Sequence, residues 1–254
     1  MITIIYYTEN RLSEPLFTQC QELLKKAANE RPIISVSHKP IELGTNICIG
    51  EQKPCWLTLY KQILLGARLA DTKYIAMAEH DCVYTDEHFS FVPPRDDTFF
   101  YNENVCLVQW AKNSHPELNG MYSRYWMQRL ALSQLICNRE IFIESTKAKL
   151  DVLDGEDIKY KHIANAGEPG VTNITEANKW AKSGRAVYLK KYLKDQLDKE
   201  KYDTFKTKIP NLDIRHDSNF TGPKRGIKRT YGIKYWGEFK NIINGFAPVP
   251  ERQQ

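Results

Sequence analysis

An α/β fold with a mixed central sheet and a basic C-terminal extension is what this sequence predicts, and three observations predict it. Two short apolar runs, residues 1–7 and 32–37, flank a stretch in which Leu16, Cys20, Leu23, Leu24 and Ala27 recur at helical spacing, so the order reads strand, helix, strand. A second helical pattern, Leu57, Tyr60, Ile63, Leu64, Ala67 and Ala70, leads into a third apolar run from Tyr74 to Ala78. That run ends in Glu79-His80-Asp81, three side chains able to hold a metal or move a proton, where an open α/β sheet presents its ligand.

Each element has its own justification. Residues 1–7 are β-branched and aromatic, as a buried strand requires, and Thr8 to Arg11 is a polar turn. Ser13 is placed to cap a helix that enters at Pro15 and runs over Glu14–Asn29, and Pro32 to Ser37 restores the strand pattern. Strand, helix and strand of these lengths make a right-handed βαβ unit with parallel strands. Gly44 to Pro54 reads as loop before the second helix, which completes a Rossmann-like first half. Beyond the acidic turn, Phe99–Tyr101, Val105–Trp110 and Leu130–Cys137 are short apolar segments expected to build the other edge of the sheet. The second half therefore reads as mixed rather than doubly wound. Leu130 to Glu140 is a strand feeding a helix that reaches about Leu150, and residues 173–201 form a charged helix. Ile209 to His216 is a last strand, and residues 219–232 are a basic, Gly-punctuated loop. No periodic structure is expected after Gly237. The organisation is one domain over 1–237 (a nucleotide-binding half 1–84, an acceptor half 85–216, a basic loop 217–237) and a tail over 238–254.

Composition narrows the class. A chain of 254 residues, 42% hydrophobic and 26% charged, can bury a full core. The apolar start is too short for a signal-peptide core and no later run approaches membrane-span length, which predicts a soluble, cytoplasmic protein. Cysteines at 20, 48, 55, 82, 106 and 137 lack the paired spacing of a zinc site and read as reduced thiols. The net charge of +5 is uneven: Lys182 to Lys240 holds sixteen Lys or Arg against seven Asp or Glu, a local +9 that leaves the rest at −4. Such a quarter suits phosphate, on a nucleotide or on a nucleic acid, or is a solvated face.

On an extended chain Glu79 and Asp81 point to one side and His80 to the other, so the two acids can share a divalent cation; a polar, solvated turn is the plainer alternative. Glu156-Asp157, two acids after Gly155, would by themselves serve a helix N-terminus. Asn113 to Arg129 carries His115, Tyr122, Tyr125 and Trp126, aromatic enough to line a sugar or base pocket, although core packing is the commoner use.

Taken in order, these motifs resemble the GT-A class of nucleotide-sugar glycosyltransferases, in particular the inverting family-2-like enzymes, from Met1 to about Gly237. The resemblance rests on the Rossmann-like half, the strand ending in acid-any-acid, the Glu-Asp pair after a strand-helix unit, and a late His followed by a basic loop. It implies that Asp81 and His216 hold Mn²⁺ or Mg²⁺ against the diphosphate of a UDP-sugar or other NDP-sugar. Glu79 stands where the family has Asp, near the ribose or a metal-bound water. Asp157, with Glu156, corresponds to the catalytic base. Thr8, Glu9 and Asn10 fall where the class meets the nucleobase and ribose, and Lys224, Arg225, Lys228 and Arg229 would close over the phosphates.

For the acceptor, the sequence points to a 5-hydroxymethylpyrimidine in duplex DNA, the kind of base that bacteriophage enzymes decorate. The basic quarter interleaved with Phe220, Tyr231, Tyr235 and Trp236 suits phosphate contact and base stacking. A glycan, lipid-linked or protein acceptor is the alternative. The rivals from other classes are a non-catalytic nucleic-acid-binding domain and a metal-dependent nuclease or nucleotidyltransferase.

Overall fold

The computed structural model describes residues 1–110, 116–124, 130–154, 168–170, 199–217 and 229–244. Strand β1 (Ile2–Thr8), helix α1 (Leu16–Ala28) and strand β2 (Ile33–Ser37) open the chain, and the two strands pair in parallel, as expected. The Ser13 side chain does not cap α1. Its carbonyl accepts from Phe17 N at 3.2 Å, and the side chain that meets the first turn is Glu14, whose Oε2 accepts from Thr18 N at 3.2 Å. A carboxylate there also suits the helix dipole. α1 closes on Asn29 in the left-handed region, which Asn tolerates better than most residues.

Inside the expected loop, Thr45–Cys48 forms β3, an edge strand parallel to β2. Its residues are half-buried or exposed, so it lacks the apolar run that marks a strand in sequence. Helix α2 (Trp56–Leu69) then leads into β4 (Tyr74–Glu79), which pairs in parallel with β1 and sets Glu79 beside Tyr7.

After β4 the chain forms β5 (Cys82–Val83), the short helix α3 (Asp86–Phe89), β6 (Thr98–Asn102), β7 (Val105–Trp110) and β8 (Tyr122–Arg124). A 3₁₀ turn at Leu132–Gln134 precedes β9 (Leu135–Asn138), so the expected strand from Leu130 is shorter, and α4 (Arg139–Asp154) follows it directly. Then come β10 (Lys201–Phe205), β11 (Asn211–His216), β12 (Arg229–Thr230), β13 (Gly232–Ile233), β14 (Gly237–Glu238) and helix α5 (Phe239–Ile243).

The main sheet has the order β10-β6-β9-β4-β1-β2-β3, with β9 antiparallel to both neighbours, and is mixed as the sequence implies. Besides β3, other elements depart from expectation, among them β12, which lies inside the expected basic loop. β7 leaves the main sheet and joins a second one, β12-β8-β7-β11-β5, pairing in parallel with β11. Lys201 opens an edge strand rather than ending a helix, and the end of the chain holds α5, whose Phe239, Ile242 and Ile243 are buried. Helix α5 is five residues long, too short to show a periodicity in sequence.

Both faces of the main sheet are covered. On β1, Ile2, Ile4 and Tyr6 pack with Leu24, Ala27 and Ala28 of α1, while Ile5 and Tyr7 pack with Tyr60, Ile63 and Ala67 of α2 and Phe142 of α4. Strands buried on both faces read as continuous apolar runs, which is why β1, β2 and β4 were legible. A third cluster joins α1 to the second sheet and α5 through Leu16, Cys20, Val83, Ile214 and Phe239. Among the described residues no helix is long and apolar enough to cross a membrane.

Candidate active site

Strands β1, β2 and β4 run parallel, so their C-terminal ends share one edge of the sheet, and residues at those ends line a cavity of about 280 Å³. The second sheet brings a further wall. Ile214 N donates to Asp81 O at 2.8 Å, and Leu212 and Asp213 pair with Val83 and Cys82, so β11 is bonded to the acidic turn itself. His216 Nε2 consequently lies 3.5 Å from Asp81 Oδ2, and its ring centre lies 5.8 Å from that of His80.

One ligand atom from each of His80, Asp81 and His216 lies within 4.8 Å of the other two. The expected alternation, with His80 facing away from the acids, does not hold. β4 ends at Glu79, and His80 and Asp81 form the turn into β5, where extended geometry no longer applies. Glu9 Oε2, 3.4 Å from His80 Nδ1, braces one ring nitrogen, the arrangement by which an outer carboxylate orients a ligating imidazole. Two imidazoles and a carboxylate are a mixed nitrogen and oxygen donor set for a divalent transition-metal ion, and three protein ligands leave positions for phosphate oxygens.

Glu79 is differently employed. Tyr7 donates to its Oε1 at 2.5 Å, and burial, followed by the Asp81 charge, pushes its carboxyl up to about 8 against that hydrogen bond. Glu79, Asp81 and Cys82 are also mutually close, but burial raises the Cys82 thiol far above its usual range as well.

Thr8, Glu9 and Asn10, expected at the nucleotide, shape the turn after β1. Thr8 Oγ1 accepts from Asn10 N at 2.9 Å, and Glu9 is shared between Arg11 and His80. Asn10, at φ +59°, accepts on Oδ1 from His38 N and Lys39 N, both at 2.9 Å, and so ties the turn after β1 to the end of β2. Thr8 and Glu9 line the cavity. Glu156, Asp157, Lys224, Arg225 and Lys228 lie outside the described residues, as do His115, Tyr125 and Trp126. Arg229 opens β12, and Tyr122 is buried in the third core cluster, the packing use that the sequence reading held the commoner.

Several cavity residues carried no signal in the sequence: His38, Trp56, Gln62, Ser133, Glu168, Asp213 and Arg215. Arg215 was the most accessible to reasoning, since it precedes the late histidine and shares a strand face with Asp213. The two pair at 2.5 Å, each largely buried. Glu168 belongs to a pinned turn: Tyr101 Oη donates to Pro169 O at 2.6 Å, and Gly170 N donates to Glu200 Oε2 at 2.8 Å. Gly170 has φ +75°, and a Cβ there would stand 2.9 Å from both Lys201 O and a Phe99 ring carbon, so glycine alone permits this approach.

No family model matches the chain, and no curated protein matches it. Solved structures give weak similarities. S. aureus TarS 1–349 in complex with UDP-GlcNAc aligns at a TM-score of 0.43 and 11% identity, over 86% of this chain and 59% of that one. A glycosyltransferase involved in glycosylation of the major capsid of PBCV-1 aligns at 0.42 and 7%, over 88% and 94%. The bifunctional IspDF from Campylobacter jejuni aligns at 0.37 and 11%, over 57% and 42%. The chain thus spans less than two thirds of TarS 1–349 and of IspDF. Similarity at this level transfers no function, which leaves the geometry of the cavity to speak for itself.

Proposed function

We propose that this chain is a metal-dependent glycosyltransferase, moving a sugar from a nucleoside-diphosphate sugar to an acceptor hydroxyl. The convergence of His80, Asp81 and His216 beside the Asp213–Arg215 pair, in a cavity at the ends of parallel strands, is the observation that carries it. Asp81 and His216, with His80, would hold the ion, and their mixed nitrogen and oxygen donors favour Mn²⁺ over Mg²⁺. Bound there, a divalent cation neutralises charge that develops on a departing diphosphate.

The chain's own residues supply the rest. Arg215, held in place by Asp213, offers a fork of N–H donors to phosphate oxygens, and its burial strengthens that attraction. Glu79, fixed by the Tyr7 hydroxyl, has a carboxyl able to hydrogen-bond a ribose hydroxyl. In the transfer the bond between the anomeric carbon and the phosphate oxygen breaks, a bond to the acceptor oxygen forms, and the acceptor proton passes to a carboxylate. Asp157, with Glu156, takes that role by resemblance, and Glu168 is a second carboxylate on the cavity wall. A single displacement of this kind inverts the anomeric centre, and a well-placed base contributes about 10²–10⁴-fold. The acceptor we favour is a 5-hydroxymethylpyrimidine in duplex DNA, on the strength of the basic C-terminal quarter.

A thermal-shift panel of UDP, GDP, CDP and ADP with and without Mn²⁺ tests the donor site on the wild type and on Asp81→Asn. At a hundred times its Kd, the cognate nucleotide should stabilise by about 2.7 kcal/mol, a shift of several degrees in Tm, and should do so only with metal. The variant should lose that shift. A nucleotide that stabilises equally without metal, or equally in the variant, removes the metal role. For the acceptor, transfer to hydroxymethylated duplex that falls steeply with salt supports DNA, whereas transfer to a glycan and not to DNA replaces it.

A further inference from the structure

The acidic turn is a corner between two sheets. β4 belongs to the main sheet and β5 to the second, so His80 and Asp81 are not held by a ladder between the strands they connect. From Asp81 onward the chain is bound to β11. Ile214 N donates to Asp81 O at 2.8 Å, Cys82 and Val83 pair with Asp213 and Leu212, and Thr85 N donates to Asn211 Oδ1 at 3.2 Å.

On the other side of the corner β4 outruns its neighbour. Arg139 N donates to Lys73 O at 2.9 Å, so alternate residues, Lys73, Ile75, Met77 and Glu79, turn their backbone groups towards β9. β9 pairs with β4 only as far as Ala76 opposite Ile136. Past that point the N–H of Glu79 donates to a side chain, Tyr84 Oη, at 3.0 Å. The bond closes a loop from Glu79 to Tyr84 around both of the candidate metal ligands that the turn supplies.

We infer that Tyr84 is a positioning residue for the metal, its hydroxyl fixing the corner that holds His80 and Asp81 within ligating reach of His216. The inference rests on the metal-dependent donor reading above, and it adds a residue that does not line the cavity.

Both partners in this bond are immobile. Tyr84 is 2% exposed, packs with Ala76, Ala78 and Ile136 of the main sheet, and has its ring centre 5.2 Å from that of Phe89 and 5.4 Å from that of His88. A ring enclosed in this way presents its oxygen as a fixed acceptor. Glu79 is held in turn by the pairing of β4 with β1, where it stands opposite Tyr7. A hydrogen bond between two groups that packing has already fixed transmits position from one sheet to the other. Position matters here because a metal tolerates only about 0.2 Å in a ligand distance. A turn free to shift as a unit would carry His80 and Asp81 together away from His216. If the hydroxyl served only to satisfy a buried N–H, its loss would lower stability and leave the ligands in place.

Tyr84→Phe removes the oxygen and keeps the ring. Calorimetric titration with Mn²⁺ and thermal unfolding compare the wild type, Tyr84→Phe and Leu150→Ala, the last a core truncation on α4. Tyr84→Phe should melt at a lower temperature, since a buried donor is left unpaired, and at a temperature where it is folded it should bind Mn²⁺ about ten- to a hundredfold more weakly. Leu150→Ala should also lose Tm but keep the wild-type affinity. Histidine ring spectra of the metal-free proteins give a second readout, in which the signals of His80 and His216 should move in Tyr84→Phe and stay in Leu150→Ala. Wild-type affinity in Tyr84→Phe, or an equal loss in Leu150→Ala, would overturn the inference. Should Tyr84→Phe not fold, exchange of the Glu79 amide in the wild type decides. It should be slow and slower still with Mn²⁺ bound, because the ion and the hydrogen bond hold one corner. Fast exchange, or exchange indifferent to Mn²⁺, overturns the inference. If the wild type takes up no Mn²⁺ the metal reading fails and the inference with it; if both proteins bind it alike, the inference alone fails.

Discussion

His88 shows how far a single residue's environment can set its chemistry. It is fully buried, its ring 4.9 Å from Phe89, 5.4 Å from Tyr84 and 5.7 Å from Phe205, with Asn102 Nδ2 3.4 Å from its Nδ1. Desolvation lowers its pKa from 6.5 to about 3. The unfolded chain therefore takes up a proton on His88 before the folded one does, so the stability present above pH 6.5 is lost progressively as the pH falls towards 3. The slope from this group reaches about 1.4 kcal/mol per pH unit. Urea unfolding of the wild type and His88→Phe across pH 4–8 should show a shallower decline in the variant; parallel curves would mean that the ring is solvated. In sequence, His88 was one more polar residue in a loop, because nothing local reveals the aromatic residues that surround it.

Helix α2 carries the argument at the level of elements. Its apolar spacing was readable, but the reason for Gly66 was not. A Cβ on Gly66 would stand 2.5 Å from Ile5 Cγ2 and 3.5 Å from Val36 Cγ2, so the helix lies against β1 and β2 at a distance that only glycine allows. Gly66→Ala gains roughly 1 kcal/mol of helix propensity and loses about 1–3 kcal/mol to overpacking against a stiff β-branched side chain. The clash should win, with a lower urea midpoint at unchanged m-value. A stabilised variant would show that α2 can lift off the sheet. The same approach brings Gln62 under the ends of β1 and β2, where it meets Thr8 O and Val36 O, so the packing of this helix and the floor of the cavity are one feature.

For the whole molecule, the joint between the two sheets decides whether a site exists. Asn211, at the start of β11 and wholly buried, accepts on Oδ1 from Thr85 N at 3.2 Å and donates through Nδ2 to Gln134 Oε1 at 2.7 Å. It thus stitches the second sheet to the segment after β5 and to the turn before β9. Asn211→Leu leaves a buried donor and a buried acceptor unpaired, each costing about 1–3 kcal/mol. We expect a fall in Tm and, because β11 carries Arg215 and His216, a weaker metal-dependent nucleotide shift even at temperatures where the variant is folded. Loss of stability with the nucleotide shift intact would show that β11 keeps its place through its backbone pairing with β7 and β5.

By itself the sequence determined the first half of the fold and the place of the acidic turn. Strands β1, β2 and β4 are buried on both faces and helices α1 and α2 on one, so their apolar patterns are long and regular enough to be read locally. The acidic turn marked Asp81 at a strand end, and the family resemblance pointed to His216 late in the chain, although nothing in the sequence required them to meet. Tertiary structure decided that they do. β7 and β11 left the main sheet and paired with each other, and β11 then bonded to the turn at Asp81. It also drew His80 into the set, withdrew Glu79 to Tyr7, and lined the cavity with His38, Gln62 and Arg215. Those outcomes depend on pairings between residues tens to more than a hundred positions apart in sequence, and a local period carries no information about partners at such distances.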